Sequence, residues 1–575
     1  MSKKKPLKPL PKKANTTQPK VAGKPKRDYT LIFLWVIIGI VSIIRYRLIA
    51  VPFERDEGEY GYIGNLFLHG VAPFKDAYSM KLPGTSFMYA IFMLIFGHTN
   101  SGVHLGLLFM NAATMYFLYT AFKKIFNPFV ALVTSTIYGF MAIGLVFDAF
   151  AAHATHFICF YSSIGFLFLA QFMKSGKPLK VFLFGLMIGM AFIMKQQAIF
   201  LIVFGAVFLF IYLKTEKKES LMEIIKKLAL FSAGVFAPYL LVVLIILMSG
   251  RFSIFWLWTV QYASKYESVK NMDLIIAMFN ISFQPAWDSY KYLWLLSLGG
   301  LIALYWSPFN RIQKLFAILY FVATACILSA GFYFRQHYFI ALLPALGLMC
   351  GIFHDFIVAF TQKIDAYMRK LGLTIFTSIF KPQFLRFPFL SLVVIGTIKY
   401  NYDYFFNGKI YTPQVVCETA YRGNPFNQAQ EVAKFIKDNT KDTDKIAVLG
   451  SEPEIYFYAD RRAATGYLYT YPLVENQPYN QSMQDEMIRE IDKNKPAFIV
   501  FCKIQYSWLP QPGAPKTIFD WSGNYINDHY TPVGFADFYN DKGWFVYWYD
   551  EMVKHSADVP NSRMAVLRRN PDKKI

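Results

Sequence analysis

Eleven apolar runs recur along the chain, near residues 31–50, 103–122, 128–147, 154–173, 179–194, 197–213, 228–249, 291–306, 314–332, 338–360 and 386–402. Most approach the ~20 residues a helix needs to cross a bilayer, and lipid admits only helices or closed barrels. The repetition predicts a polytopic α-helical membrane protein of about 11 transmembrane helices. A further run, Ser86 to Gly97, is too short to cross and suits a re-entrant or interfacial segment. Composition agrees: 55% of the 575 residues are hydrophobic and 17% charged, against roughly 25% charged in a soluble domain.

The formal net charge is +22, of which residues 1–27, with nine lysines, Arg27 and no acid, supply 10. Residues 402–575 hold 20 basic and 22 acidic residues, so +14 remains for the loops between apolar runs. Basic loops beside hydrophobic spans mark the cytoplasmic side. Nucleic acid is excluded as a partner, because no basic face with base-reading elements exists. Residues 1–29, rich in lysine and proline, read as a disordered cytoplasmic tail. The run at 31–50 lacks a small-residue cleavage site and reads as a permanent anchor. Lys123 and Lys124, the Lys174–Lys180 loop, the Lys214–Lys227 stretch, Arg311 with Lys314, and Lys363–Arg386 should all lie inside. An odd number of crossings then sends the C-terminal region outside. Residues 361–385 are basic and amphipathic, as in a cytoplasmic interfacial helix.

These boundaries divide the chain into the tail, a membrane domain at 30–403 with outer loops at 51–100 and 250–290, and an extracytoplasmic domain at 404–575. In the last, helical spacing at 429–439 and 484–494 alternates with short strands at 445–450 and 497–501, predicting a small α/β domain. No G-x-G-x-x-G follows Gly450, so a dinucleotide is not expected. Cys417 and Cys502 have no spacing that pairs them.

Candidate chemistry gathers at outer ends. After the first span the chain reads Glu54-Arg55-Asp56-Glu57-Gly58-Glu59-Tyr60, then Lys75-Asp76 and Lys81-Leu82-Pro83-Gly84. Because this loop runs into the half-length apolar segment, it should pack against the bundle. Arg45, Arg47, Arg55, Lys81, Lys195, Arg251, Lys265 and Arg335 also fall on the outer side, where positive charge should be depleted. A shared anion, such as a lipid phosphate, would account for them, as would pairing with nearby acids or snorkelling to headgroups. Asp148, His153 and His156 form a third group: on a helix the two histidines share a face, and with Asp148 or the first-loop carboxylates they would hold a divalent cation or simply pack as polar residues. Trp256, Trp258, Tyr262 and Tyr266 suit an interfacial belt, sugar stacking or the grip on a prenyl chain.

The acidic pair Asp56-Glu57, the Pro83-Gly84-Thr85 start of a short apolar helix, Lys195-Gln196-Gln197, and Phe334-Arg335-Gln336-His337-Tyr338-Phe339 before Leu342-Leu343-Pro344 follow one another in a familiar order. Over about residues 30–350 the chain resembles the polyprenyl-phosphate-sugar-dependent glycosyltransferases of the membrane C-type fold. It is most similar to lipopolysaccharide galacturonosyltransferases, with lipid A aminoarabinose transferases and protein O-mannosyltransferases more distant. The segment Gly423–Phe426 and the strand Ile446–Gly450 also look like the outer domain that many of these bacterial proteins carry.

The resemblance implies a plasma-membrane enzyme of a bacterium that moves a sugar from a polyprenyl-phosphate carrier to a membrane lipid, polysaccharide or protein acceptor. Asp56 would be the catalytic base, with Glu57 assisting. Arg45, Arg55, Lys81, Lys195, Arg335 and His337 would bind the donor phosphate. Glu57 would also help hold a metal where one is used, but no cofactor is required: the divalent ion that the residues alone allow at Asp148, His153 and His156 falls where relatives often have Asn and Glu in place of the two histidines. The chemistry needs one carboxylate to take the acceptor proton and cations to receive the departing phosphate. One displacement inverts the anomeric centre, whereas a retaining route would recruit Glu54 or Glu59 as nucleophile. The rival class is a lipid-linked-sugar transporter or flippase, which should carry ionisable groups through mid-membrane.

Overall fold

The computed structural model describes residues 29–265, 271–372 and 382–571. The basic tail, apart from Tyr29, and the stretch 373–381 of the expected interfacial helix lie outside these residues.

Helix α1 (Tyr29–Arg47) carries no charged residue before Arg45. It is followed by α2 (Arg55–Leu68), α3 (Gly84–Phe96), α4 (Asn100–Ile125) and α5 (Pro128–Met141). Then come α6 (Ala154–Ser175), α7 (Pro178–Met194), α8 (Ile199–Thr215), α9 (Leu221–Met248) and α10 (Met272–Ala303). The bundle ends with α11 (Arg311–Ser329), α12 (Leu343–Lys370) and α13 (Pro382–Ile398). Polar caps fix where several begin: Thr99 accepts from Gly102, Asn127 precedes Pro128, and Asn310 and Gln313 cap α11 reciprocally.

Every expected span is helical, and among the described residues seven helices are long and apolar enough to cross a membrane. The chain is a multi-pass membrane protein. α3, with 13 residues, rises about 20 Å against a hydrocarbon core of ~30 Å, as the sequence suggested. Two expectations are corrected. The span at 291–306 is the second half of a 32-residue helix bent at Tyr290, so the outer loop is shorter than 250–290. Residues 361–370 continue α12 instead of starting a new helix, because no Gly or Pro interrupts the chain from Ile352 to Lys370. Close crossings depend on absent side chains: a Cβ on Gly185 or Gly189 of α7 would meet carbonyl oxygens of α9 at 2.1 and 2.2 Å.

The C-terminal domain is built on a mixed six-stranded sheet. Its elements are α14 (Phe426–Asp438), β1 (Lys445–Leu449), α15 (Glu454–Ala459), β2 (Arg462–Ala463), α16 (Asn480–Asn494), β3 (Phe498–Lys503), α17 (Thr517–His529), β4 (Tyr530–Tyr539), β5 (Gly543–Trp548) and β6 (Ser562–Arg569). The strand order is β2-β1-β3-β6-β4-β5, with β1 parallel to β2 and β3, and β6 antiparallel to β3 and β4. The two helices and two strands read from sequence are α14, α16, β1 and β3. All five cysteines are free thiols.

One apolar core runs through α2, α3 and the 71–82 loop into this domain, joining Phe53, Tyr62 and Tyr89 to Val448, Tyr456 and Phe457. Tyr78 pairs with Tyr467 as a parallel bridge and donates its backbone N–H to Gly466 at 2.7 Å. Trp258 stacks on Tyr78, and Tyr262 donates to Glu475 at 2.7 Å. These two aromatics are buried against the outer domain rather than lying in an interfacial belt, Trp256 is exposed, and Tyr266 lies outside the described residues.

Candidate active site

The acidic loop after α1 is the start of α2. Glu54 caps it, accepting from the Glu57 N–H at 2.9 Å, and Asp56 and Glu57 occupy the first turn, where the helix dipole favours acids. Neighbours on a helix point about 100° apart, so the two acids of the pair take different surroundings. Asp56 faces a polar pocket beneath the outer domain; its Oδ1 accepts from Lys81 Nζ at 2.8 Å and from the Tyr469 hydroxyl at 3.0 Å. Lys81 also reaches Glu59 at 2.5 Å and lies over the rings of Tyr60 and Tyr469. Glu57 faces the bundle, fully buried, and accepts from His104 at 2.8 Å and from the Ala152 N–H at 2.6 Å. It ties α2 to the 148–153 segment.

Across the pocket His153 stacks on His337, ring centroids 4.2 Å apart, and both ring nitrogens of His153 are buried without a hydrogen-bond partner. Lys195 Nζ lies 3.4 Å from His337 Nε2 and 4.0 Å from the centre of the Tyr338 ring. Burial pushes the Asp56 carboxyl up, but Lys81 and then His337 outweigh it and hold the group well below the usual carboxylate range. Burial, with Lys81 and Arg335 adding to it against the pull of Asp56, brings Lys195 down to about 7. Burial likewise takes His153 to about 4, so it is neutral at physiological pH.

Sequence comparison with known proteins gives one family. The model for dolichyl-phosphate-mannose-protein mannosyltransferases matches residues 80–242. No curated protein matches the sequence. Two solved structures are similar in fold. The ArnT structure from Cupriavidus metallidurans, bound to undecaprenyl phosphate, has a TM-score of 0.53 and 13% identity over 86% of this chain and 94% of that one. The oligosaccharyltransferase AglB from Archaeoglobus fulgidus, in complex with an inhibitory peptide and a dolichol-phosphate, has a TM-score of 0.50 and 11% identity over 93% of this chain and 76% of that one. The chain has the C-type membrane glycosyltransferase fold.

Within this glycosyltransferase fold the candidate residues separate into groups. Asp56, Lys81, Lys195 and His337 converge on one pocket, with His153 beside them. Arg45 does not: its guanidinium donates to the Ala142, Ala149 and Phe150 carbonyls and holds the 142–150 turn. Arg55 ties α2 to the outer domain, donating to Ser451 O, to Asn424 at 3.2 Å and to Glu452 at 2.9 Å. Arg335 is exposed at the rim, 5.8 Å from the centre of the Tyr333 ring. The expected cation group of Asp148, His153 and His156 does not form. His153 precedes α6 with extended backbone, so it shares no helix face with His156, which turns to the Ala149 carbonyl, and Asp148 sits in a left-handed turn where burial raises its carboxyl to about 7. Among the described residues the one set of three metal-type donors is Asp56, His153 and His337, each offering an atom within 4.8 Å of the others. One carboxylate and two imidazoles, with orphaned nitrogens on His153, fit a borderline divalent ion, and Lys81 already supplies positive charge to Asp56.

Sequence reading missed Tyr469. It comes from the outer domain, 413 positions from Asp56, and no local pattern links the two.

Proposed function

We propose that the chain is a polytopic glycosyltransferase that moves a sugar from a polyprenyl-phosphate carrier to a cell-envelope acceptor on the outer face of a bacterial plasma membrane. The observation that carries this is the pairing of an ionised Asp56, held by Lys81 and Tyr469, with the hydrogen-bond donors Lys195 and His337 across the same site. The fold, the mannosyltransferase family match and the polyprenyl phosphates in the ArnT and AglB complexes support a lipid-phosphate donor. Lysines at the far ends of α4, α6 and α8 support a cytoplasmic N-terminus and an outer Asp56. The resemblance of the 54–85 and 334–344 motifs to lipopolysaccharide glycosyltransferases supports a lipopolysaccharide lipid as one acceptor class, beside polysaccharide and protein.

In this mechanism the donor phosphate lies on Lys195, His337 and the rim Arg335, which receive its charge as the anomeric C–O bond breaks. The acceptor hydroxyl attacks from the Asp56 side. Its proton becomes acidic as the new bond forms, so a carboxylate of low pKa suffices to take it. Lys81 and Tyr469 keep Asp56 ionised and aimed. One displacement inverts the anomeric centre. A divalent ion, where present, would be held by Asp56, His153 and His337 and would supply Lewis-acid charge to the phosphate. The flippase reading has no observation in its favour.

The test is purified protein given a panel of polyprenyl-phosphate sugars, with release of free polyprenyl phosphate as the readout. Wild type should turn over at least one donor, and Asp56→Asn should lose about 10²–10⁴-fold in kcat with its thermal unfolding unchanged. Full activity in that variant removes Asp56 as the base.

A further inference from the structure

Two stretches of the sequence take no part in the reaction as drawn: Pro83-Gly84-Thr85 at the start of α3, and the glutamines that follow Lys195. The structure lays one on the other. Thr85, fully buried in the first turn of α3, donates its hydroxyl to the Met194 carbonyl at 2.9 Å. That carbonyl lies at the end of α7, where a helix leaves its last carbonyls without partners of its own. Gly84 meets the same end with bare backbone: a Cβ there would stand 2.5 Å from the Ile193 oxygen. Gln196, just past the end of α7, reaches back and donates its side-chain amide to the Met80 carbonyl at 2.8 Å.

Each side of this contact carries a lysine of the site as an immediate neighbour. Met80 precedes Lys81, whose ammonium holds Asp56 and whose backbone N–H is pinned to Ser79 Oγ at 3.1 Å. Met194 and Gln196 flank Lys195, which faces His337. Neither segment is regular there. Residues 79–83 are loop, and between α7 and α8 the chain takes an extended residue at Lys195 and then a short tight turn. Irregular segments move independently unless something ties them. The Thr85, Gly84 and Gln196 contacts join 80–85 to 193–196 as a single body. The separation of Asp56 from Lys195 is therefore fixed locally, beside the two lysines.

We propose that 80–85 and 193–196 form a clamp, with Thr85 and Gln196 as positioning residues that hold Lys195 at the distance from Asp56 that transfer requires. A misplacement of about 1 Å can cost ~10²-fold in rate, so loosening the clamp lowers kcat/KM for the donor and leaves the acceptor KM alone. The role in transfer rests on the glycosyltransferase reading; the clamp itself does not.

The experiment uses full-length protein in lipid nanodiscs, monodisperse on size exclusion, and two readouts. Hydrogen exchange reads the clamp. Thr85→Val should speed exchange of the 193–198 amides about three-fold or more, and Gln196→Leu that of the 79–85 amides, each reporting across the contact. Thr85→Ser, which keeps the hydroxyl, should match wild type in both readouts. Faster exchange confined to the substituted segment overturns the clamp. Kinetics reads the positioning: Thr85→Val and Gln196→Leu should each lower donor kcat/KM about ten-fold with the acceptor KM unchanged. In a Lys195→Met background the same substitutions should cost less than about two-fold, because no ammonium is left to misplace. An equal loss in both backgrounds marks a contact that only stabilises the fold and overturns the positioning role. A wild type inert toward every donor, with exchange still reciprocal, leaves the clamp standing and removes the transferase reading, and with it the role in transfer. Turnover without reciprocal exchange does the reverse.

Discussion

Tyr469 gives the C-terminal domain a direct hold on Asp56, the carboxylate proposed as the base. Its single hydroxyl hydrogen is shared between two acceptors, Asp56 Oδ1 at 3.0 Å and the Arg55 carbonyl at 3.1 Å, which ties the first turn of α2 and the side chain to one donor. Hydrogen bonds to charged groups are worth about 1.5–3 kcal/mol, so Tyr469→Phe should lower kcat about 10- to 100-fold. Unfolding temperature should stay put; a KM effect with normal kcat would instead assign Tyr469 to substrate binding. Lys195→Met should act on the other half of the reaction, raising the donor KM ten-fold or more while Asp56 stays ionised through Lys81. Steady-state kinetics with donor and acceptor varied separately checks this. At this scale the sequence drew attention to Asp56, Lys81, Lys195 and His337, each a charged or titratable residue at the end of an apolar run, and the structure brings the four together. It misled for Arg45 and Arg55, since burial alone does not say whether a guanidinium meets a phosphate or a row of carbonyls.

Helix α2 is the element on which everything turns, pressed between the bundle and α15 of the outer domain. A Cβ on Gly58 would lie 2.4 Å from the Glu454 nitrogen and 2.7 Å from its Cα, so backbone meets backbone there. Gly58→Ala should cost about 1–3 kcal/mol and shift α2, lowering both thermal stability and turnover. Glu454 is itself buried with both carboxylate oxygens unpartnered. Burial, with Glu452 adding to it against Arg55, raises its carboxyl well above the ordinary range. A carboxyl whose pKa rises on folding binds its proton more tightly when folded. Its contribution is full below the unfolded pKa of about 4.3 and is lost as pH climbs toward the folded value. Glu454→Gln, neutral throughout, should therefore gain stability relative to wild type between pH 5 and pH 8. An equal difference in unfolding temperature at both pH values would refute the assignment. None of this was legible beforehand. The run 54–60 reads as a charged loop, and its helical state comes from the Glu54 cap and from packing against a domain some 400 positions away.

At the scale of the whole molecule, bilayer thickness made the membrane domain readable: an apolar run near twenty residues admits one interpretation. The half-length α3 and the strand–helix alternation at 429–501 were equally plain. Strands β4, β5 and β6 were not: Pro532 and Gly534 interrupt β4, and the aromatic β5 is half-buried on both faces without clean alternation. What no periodicity could reveal is that the two domains share a core. Phe53, Tyr62, Tyr78 and Tyr89 belong to the same apolar cluster as Val448, Tyr456 and Tyr467. A chain ended near residue 403 keeps every candidate residue except Tyr469, yet it bares that face. It should elute as aggregate in detergent on size exclusion and release no polyprenyl phosphate; a monodisperse, active truncation would refute the shared core.

The Phe53 backbone N–H donates to the Tyr458 hydroxyl across 405 positions of chain. At ~5–20 residues per second, a ribosome needs roughly 20–80 s to travel that far. During that interval α2 and the 71–82 loop keep their tyrosines uncovered until the partner that seals them is made. Biogenesis thus has a built-in vulnerable window, and a chaperone or protease acting in it would see the nascent first loop rather than the finished enzyme.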